Sequence, residues 1–171
     1  MKAWVFRGNR GSHVKVSGKA LNIGGESFTM ATFLYQDVLR DGPIMEYSGV
    51  NYGTHMWIHR KRLYIDFQGA GRNTKPYHVT PAPKKWHFVG VSLNAKTGEM
   101  VMWVDHTVVV KKVSVGARDM TGDLYIGLRP KDRRYFFNGR LAGTTLMNCA
   151  TTRDKITTLR KATIRKARAG M

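Results

Sequence analysis

The sequence predicts an all-β fold in which two antiparallel sheets pack face to face. Three runs rich in aromatic and β-branched residues follow one another at 86–93, 99–104 and 107–110. Polar turns separate them, and apolar runs punctuated by Asn/Gly turns are typical of adjacent antiparallel strands. The 18 glycines and five prolines among 171 residues fit a protein with many turns. We expect the core between the sheets to contain Trp86, Val89, Val91, Met100, Met102 and Val104.

The other strands are predicted in chain order from shorter runs. Residues 3–7 form the first, and residues 13–16 alternate His13 and Lys15 with two valines, which indicates a half-buried strand with a basic outer face. A long strand apolar on both faces follows at 27–36, and another at 43–48. Residues 54–59 and 63–67 are predicted as a hairpin around Arg60-Lys61-Arg62. The segment 68–84 contains three prolines and is predicted as a surface loop, at the rim of a site.

The pattern changes from strand to helix at residue 151. Thr151 or Thr152 is placed to cap a helix with Asp154 in its first turn, and helical spacing puts one apolar face on Ile156, Leu159 and Thr163. We expect Ile156 and Leu159 to dock on the sandwich and the chain to fray beyond Ala162. The predicted organisation is a β-sandwich over residues 1–150, then a short helix and basic tail over 151–171. The tail cations are Arg160, Lys161, Arg165, Lys166 and Arg168.

Six pieces of sequence between about residues 3 and 160 carry a family resemblance. The central one is Trp-His-Phe-Val at 86–89, a Lys-Thr-Gly turn and Met-Trp-Val-Asp at 102–105. The others lie at 6–16, 27–30, 122–127, 137–141 and 148–152, in the expected order. Together they resemble laminin-G-like domains, which belong with pentraxins and legume lectins to the concanavalin A-like folds. The resemblance implies a jelly-roll sandwich with further strands at 122–127 and 137–141.

The charge of the chain is strongly unbalanced. Lysine and arginine number 29 against 11 acids, a formal net charge of +18. Such a field attracts polyanions, but its sign alone does not choose among nucleic acid, sulfated glycan, an anionic membrane surface and an acidic protein. A role in solubility alone is the plainer alternative. No nucleic-acid-binding module is recognisable, so nucleic acid is expected to bind only nonspecifically.

The candidate binding residues are clusters of cations in turns and loops. If these turns lie at one edge of the sandwich, their charges act together, because arginine offers a planar fork to sulfate, carboxylate or phosphate and lysine adds a point charge. Each cluster alone is typical of a solvated turn. The predicted polyanion-binding residues are Arg60, Lys61, Arg62, Lys84, Lys85, Arg129, Lys131, Arg133, Arg134 and the tail cations, with a further cluster at Lys111-Lys112. Tyrosines expected in loops, able to stack on sugar rings, are Tyr47, Tyr52, Tyr77 and Tyr135.

No catalytic residues are predicted. Glucanases of the same fold need paired carboxylates in one cleft, whereas Glu46 and Asp66 are isolated and Glu99 and Asp105 flank opposite ends of one strand. The six histidines, His13, His55, His59, His78, His87 and His106, lack metal-ligand spacing and are expected on the surface or within sheets. Cys149 has no disulfide partner and is expected to be a small buried apolar side chain.

The resemblance also implies loop calcium sites in many members of the family. Here Ala142-Gly143 replaces the usual acidic pair and His106 the usual glycine, so calcium is disfavoured and no cofactor is predicted. The first residues lack the apolar stretch of a signal peptide, and no run is long enough to span a membrane. We expect an extracellular protein, as a mature form or an excised domain.

The predicted function is that of a non-catalytic binding module for acidic or sulfated polysaccharide in an extracellular matrix setting. The alternative is a structural or protein-interaction domain of a larger matrix protein, including chitin- or mineral-associated matrices, that binds an acidic partner.

Overall fold

Two antiparallel sheets form the molecule, as the sequence predicts. A computed structural model describes residues 2–18, 27–48, 53–68, 81–113, 122–130 and 135–169. Within these ranges the strands are β1 Trp4–Arg7, β2 Val14–Val16, β3 Phe28–Tyr35, β4 Gly42–Ser48, β5 Gly53–His59, β6 Arg62–Gln68, β7 His87–Asn94, β8 Glu99–Val104, β9 Thr107–Lys112, β10 Leu124–Ile126 and β11 Asn138–Met147. One sheet has the order β1-β11-β3-β7-β8-β9, and the other β2-β10-β4-β5-β6.

The main core lies between the inner faces of the two sheets. Val89, Val91, Met100, Met102 and Val104 are buried there, as predicted, against apolar residues of the five-stranded sheet. The assignment of Trp86 to this core is wrong, because its side chain is 37% exposed. Side chains alternate between the faces of a strand, so a position three residues before Val89 lies on the opposite, outer face.

A second apolar layer covers the outer face of the six-stranded sheet. The helix α1, Ile156–Ala169, packs there and buries a cluster composed of Ala31, Phe33, Phe88, Val101, Trp103, Ala142 and Ile156. Gly90 allows the Trp103 indole to lie against β7, since a Cβ atom at this position would stand 2.2 Å from Trp103 Cζ2. The outer face of this sheet is therefore partly closed by the C-terminal segment.

The helix is longer than the sequence predicts. The expected docking of Ile156 and Leu159 is confirmed, but α1 continues beyond Ala162 to Ala169 because Thr163 is buried and Ile164 packs on the same cluster. Thr152 occupies the N-cap of the preceding 3-10 turn, Arg153–Lys155, without a capping hydrogen bond from its side chain. Within the described residues no helix is long and apolar enough to cross a membrane.

The link between β11 and the helix corrects the expectation for Cys149. Its side chain is exposed, because the residue lies beyond the last strand. Its carbonyl accepts a hydrogen bond of 2.7 Å from the Thr29 hydroxyl, and the Thr151 amide donates to Ser92 Oγ at 2.7 Å. Backbone and hydroxyl hydrogen bonds, rather than the thiol, fix this link to the sheet.

Candidate functional site

The topology brings several turns to one end of the sandwich. Strands β3, β5 and β8 end there, while β4, β6, β7 and β9 begin there. The Lys84 amide donates to the Gln36 carbonyl at 2.8 Å, which joins the loop before β7 to the loop after β3. The Gly127 amide donates to the Ile44 carbonyl at 3.1 Å, which places the segment after β10 at the same end. We call this the basic end, after its cations Arg7, Arg10, Arg40, Arg60, Lys61, Arg62, Lys84, Lys85, Arg129 and Arg140.

Several predicted site residues meet at the basic end. The hairpin tip contributes Arg60, Lys61 and Arg62, the loop before β7 contributes Lys84 and Lys85, and Arg129 follows β10. Lys111 and Lys112 lie at the opposite end, because β9 runs away from the basic end and Lys112 pairs with Glu99. Lys131, Arg133 and Arg134 lie outside the described residues.

The helix carries part of the predicted tail to the basic end. Arg160 Nη1 donates to His106 Nε2, 3.2 Å away, in the turn between β8 and β9. Lys161 and Arg165 are exposed on the same helix. Lys166 and Arg168 belong to α1, but their side chains lie outside the described part of the chain. Arg160 is thus the tail cation that the structure connects to the candidate site.

The acids of the described basic end are used in local contacts. Asp37 accepts a hydrogen bond from the Tyr35 hydroxyl at 3.1 Å, a contact that raises the pKa of Tyr35. Asp41 lies 3.3 Å from His59 Nδ1, and Asp105 lies 2.6 Å from His87 Nδ1. No ion pair joins Arg60, Lys61, Arg62, Lys84 or Lys85 to an acid that the structure describes. These five exposed cations therefore remain available to a ligand.

The histidine–aspartate pair holds the loop that carries Lys84 and Lys85. His87 Nδ1 lies 2.6 Å from Asp105 Oδ2, and its Nε2 lies 3.0 Å from the amide nitrogen and 2.9 Å from the carbonyl oxygen of Ala82. The other carboxylate oxygen of Asp105 accepts from the Phe88 amide at 2.9 Å. Two turns of the basic end are thus fixed to each other by side-chain hydrogen bonds.

The backbone of the hairpin tip is unfavourable for the residues that occupy it. Arg60 and Lys61 have φ angles of 49° and 62°, and Lys84 has a φ of 59°. The left-handed region costs an ordinary L-residue about 1–2 kcal/mol, and two-residue hairpin turns of this kind favour Asn-Gly. Turn propensity therefore does not account for the Arg-Lys pair at this position.

A row of flat side chains lies beside the basic end on the outer face of the six-stranded sheet. The Arg140 guanidinium is 5.0 Å from the centre of the Tyr35 ring, and the Tyr35 and Trp86 rings are 5.4 Å apart. The pairing of Arg140 with Tyr35 across β11 and β3 sets the row. The sequence analysis missed this surface because it placed Trp86 in the core.

A second aromatic group lies on the outer face of the five-stranded sheet. Trp57 is at its centre, with ring distances of 6.0 Å to Tyr135, 6.1 Å to Tyr64 and 6.2 Å to His59. The Arg129 guanidinium lies 4.8 Å from the Trp57 ring. Among the predicted loop tyrosines, Tyr135 is exposed as expected, whereas Tyr47 belongs to β4 and is buried in the core. Tyr52 and Tyr77 lie outside the described residues.

Glu46 has a neighbour that the sequence analysis missed. Its Oε2 lies 3.2 Å from Nδ1 of His55, and both side chains are buried, at 2% and 5% exposure. The atoms are close, yet poorly aligned for a hydrogen bond, since His55 Nδ1 has no partner of good geometry among the described residues. The two residues are directly paired across β4 and β5, so a prediction of the register of this hairpin would have predicted the contact. Histidine is the direct cross-strand neighbour of Glu46, and the register in turn pairs His55 with Asp66 of β6.

Comparison with known proteins identifies the class of fold. No protein-family model and no curated protein matches the sequence. Three solved structures that superpose over most of the chain illustrate the likeness. A heptameric SAP-like pentraxin from Limulus polyphemus matches with 13% identity over 92% of this chain and 80% of the pentraxin chain, at a TM-score of 0.68. Domains LG4-5 of the mouse laminin α1 chain match with 14% identity over 88% of this chain and 43% of that one, at a TM-score of 0.67. Botulinum neurotoxin type C matches with 14% identity over 92% and 42%, at a TM-score of 0.68.

These likenesses confirm the predicted fold. The chain is a concanavalin A-like jelly roll, with two antiparallel sheets and one C-terminal helix. It spans less than half the length of the laminin and neurotoxin chains that it matches. Identities this low establish the fold alone.

Proposed function

We propose that this protein is a non-catalytic binding module for acidic or sulfated polysaccharide, acting in an extracellular matrix setting through its basic end. The observation that carries the proposal is the meeting of five exposed cations at one end of the sandwich, with no ion pair to an acid that the structure describes. They are Arg60, Lys61, Arg62, Lys84 and Lys85. Lys131, Arg133 and Arg134 are proposed to extend this surface, and the cations of the helix to border it.

The flat side chains beside the basic end favour a glycan over other polyanions. Trp86 and Tyr135 are exposed on either side of it, on the outer faces of the two sheets. Sugar rings pack their C–H faces on aromatic rings, while their sulfate or carboxylate groups pair with Arg and Lys. A ligand that uses both features retains part of its affinity when salt screens the charges.

The solved structures with this fold give the proposal further support. The neurotoxin is described as entering cells through interaction with two ganglioside molecules, which are acidic glycolipids. We extend acidic-glycan recognition to this chain on the basis of its own exposed cations.

The surroundings of Glu46 support a non-catalytic role. Glycoside hydrolysis uses two carboxyl groups about 5–9.5 Å apart on either side of the scissile bond. The Glu46 side chain is 2% exposed, so its carboxylate is not open to a substrate, although the register places Asp66 beyond His55 on the next strand. A panel of polysaccharides incubated with the protein should therefore release no products.

Elution by salt from immobilised ligands tests the proposal. Heparin and chondroitin sulfate should hold the protein to higher salt than duplex DNA, and neutral chitin should not retain it. The double variant Arg60→Asn/Lys61→Gly should elute from heparin at lower salt, because it removes two cations from the basic end. The matched control Lys111→Gln/Lys112→Gln removes two cations from the opposite end and should elute close to the unmodified protein.

Four outcomes would contradict the proposal. Equal elution from all polyanions would show that the charge is nonspecific. Retention on chitin at high salt would assign binding to aromatic side chains. An equal fall in the salt concentration needed to elute the two double variants from heparin would show that no particular end of the sandwich binds the ligand. Weak glycan binding together with a saturable complex with an acidic protein would favour a protein-interaction domain.

A further inference from the structure

Exposed apolar side chains accompany the cations of the basic end. Among the described residues, the large apolar side chains that remain exposed are Trp4, Val5, Val38, Trp86, Val110 and Tyr135. Val38, in the loop between β3 and β4, is 61% exposed, and Trp86 and Tyr135 belong to the same end at 37% and 45%. Polysaccharide recognition explains the two aromatic side chains, but it gives no role to an exposed aliphatic residue in this loop.

The loop that carries Val38 is held in place from within. The Gln36 side-chain amide donates to the carbonyls of Arg40 and Asn138, at 3.2 and 2.7 Å. Asp37 is bonded to the Tyr35 hydroxyl, and Asp41 contacts His59 and the Lys61 amide. Both acids of the loop are therefore engaged, and the exposed side chains between them are Val38 and Arg40.

An apolar tip surrounded by cations has the chemistry of a peripheral membrane contact. Each Lys or Arg near an anionic bilayer contributes about 1 kcal/mol of attraction, and Trp and Tyr are enriched at the level of the lipid headgroups. Stable attachment requires an apolar contact in addition to the basic patch. Val38 supplies the apolar contact, while the hairpin tip and Lys84-Lys85 supply the patch.

We propose that the basic end docks on an anionic lipid bilayer, with Val38 inserted below the headgroups and Trp86 and Tyr135 at their level. This is a second ligand for the same end of the molecule, and it does not depend on polysaccharide binding. Arg60, Lys61, Lys84 and Lys85 contact lipid phosphates in this arrangement. The helix α1 lies along the outer face of the six-stranded sheet, and its described contact with this end is that of Arg160 with His106, which leaves Val38 exposed.

Sedimentation with lipid vesicles tests this docking. Vesicles of equal parts phosphatidylcholine and phosphatidylserine should carry the protein down, and vesicles of phosphatidylcholine alone should not. Val38→Ser keeps the charge unchanged and should weaken partitioning to the mixed vesicles by about tenfold, the loss expected from one partly inserted valine. The matched control is Val110→Ser, because Val110 is 42% exposed in β9, away from the basic end.

The same variants separate this proposal from polysaccharide binding. Val38→Ser should elute from heparin like the unmodified protein, whereas Arg60→Asn/Lys61→Gly should weaken both heparin and vesicle binding. Membrane docking is overturned if Val38→Ser sediments like Val110→Ser. It is also overturned if vesicles with and without phosphatidylserine carry down the same amount. Neither result affects the polysaccharide proposal, which the heparin measurement tests separately.

Discussion

At the scale of single residues, Asp123 and Lys15 form an ion pair that shifts the pKa of both groups. Lys15 Nζ lies 2.8 Å from Asp123 Oδ2, and the Gly18 amide donates to Oδ1 at 3.0 Å. The hydrogen bond from Lys15, followed by that from Gly18, lowers the pKa of Asp123, and the same contact with Asp123 raises the pKa of Lys15. Lys15 is exposed and Asp123 is partly exposed, so we expect a clear change in titration and only a small change in stability.

The sign of each contribution follows from these directions. Because folding lowers the pKa of Asp123, its stabilising contribution is complete above the ordinary carboxyl pKa and disappears as pH falls through the folded-state value. Because folding raises the pKa of Lys15, its contribution is complete below the ordinary lysine pKa and disappears as pH rises through the folded-state value. The pair is therefore fully formed across the neutral range.

Replacement of Lys15 by methionine tests this assignment. Lys15→Met keeps much of the side-chain length and removes the charge, so the pKa of Asp123 should rise towards its ordinary value, with the Gly18 hydrogen bond retaining part of the shift. Carboxyl carbon shifts followed by NMR through acid pH report this directly. Identical titration of Asp123 in the two proteins would show that the ion pair does not form in solution.

At the scale of elements, substitutions at the tip of the β5–β6 hairpin are expected to change stability and ligand affinity in opposite directions. Asn and Gly adopt the left-handed backbone of positions 60 and 61 more readily than Arg and Lys do. Arg60→Asn/Lys61→Gly should therefore raise the free energy of unfolding by about 1 kcal/mol, measured in urea, while lowering affinity for heparin. The control Lys111→Gln/Lys112→Gln, in the regular strand β9, should leave stability within about 0.5 kcal/mol.

A loss of stability in the hairpin variant would be informative. It would mean that the aliphatic stems of Arg60 and Lys61 contribute packing at the tip that outweighs the strained turn. A gain in stability together with a loss of heparin affinity would show that Arg60 and Lys61 contribute to binding rather than to folding.

Elements with a strong local pattern could be predicted from the sequence, and contacts between elements could not. The runs at 27–36 and 99–104 and the hairpin around residues 60–62 lie close to where they were predicted, because apolar alternation and turn chemistry are local properties. Trp86 was misplaced because the prediction assigned it to the same core as Val89, although side-chain alternation puts these two positions on opposite faces of the strand. The helix extends beyond Ala162 because it packs on a sheet that lies far from it in sequence.

The candidate site was predictable in composition but not in arrangement. The cationic clusters are visible in the sequence, yet only the strand order shows that residues 60–62, 84–85 and 129 share one end and that Lys111-Lys112 do not. The Glu46–His55 contact needs the register of β4 and β5. The row formed by Arg140, Tyr35 and Trp86 joins three distant segments, so no local pattern indicates it.

At the scale of the whole molecule, proposed ligand binding rests on cations of the protein itself. Calcium-dependent recognition requires six to eight oxygen ligands, with carboxylates among them. At the described basic end, Asp37, Asp41 and Asp105 are engaged with Tyr35, His59 and His87. Heparin elution should therefore be the same in calcium and in excess EDTA. A shift to lower salt in EDTA would show that a metal ion completes the site.

The cations of the basic end also affect how the molecule meets a ligand. The field of a polyanion orients a protein that carries a cluster of cations at one end, so that this end faces the ligand when the two molecules meet. A larger fraction of encounters then leads to binding, and the association rate constant rises. In the proposed binding mode, the cations at the hairpin tip set chiefly the association rate and its decline with ionic strength. The flat side chains on either flank form their contacts after the encounter, and in this proposal they set the residence time. Speed of capture and duration of binding would thus be set by different side chains of the same surface.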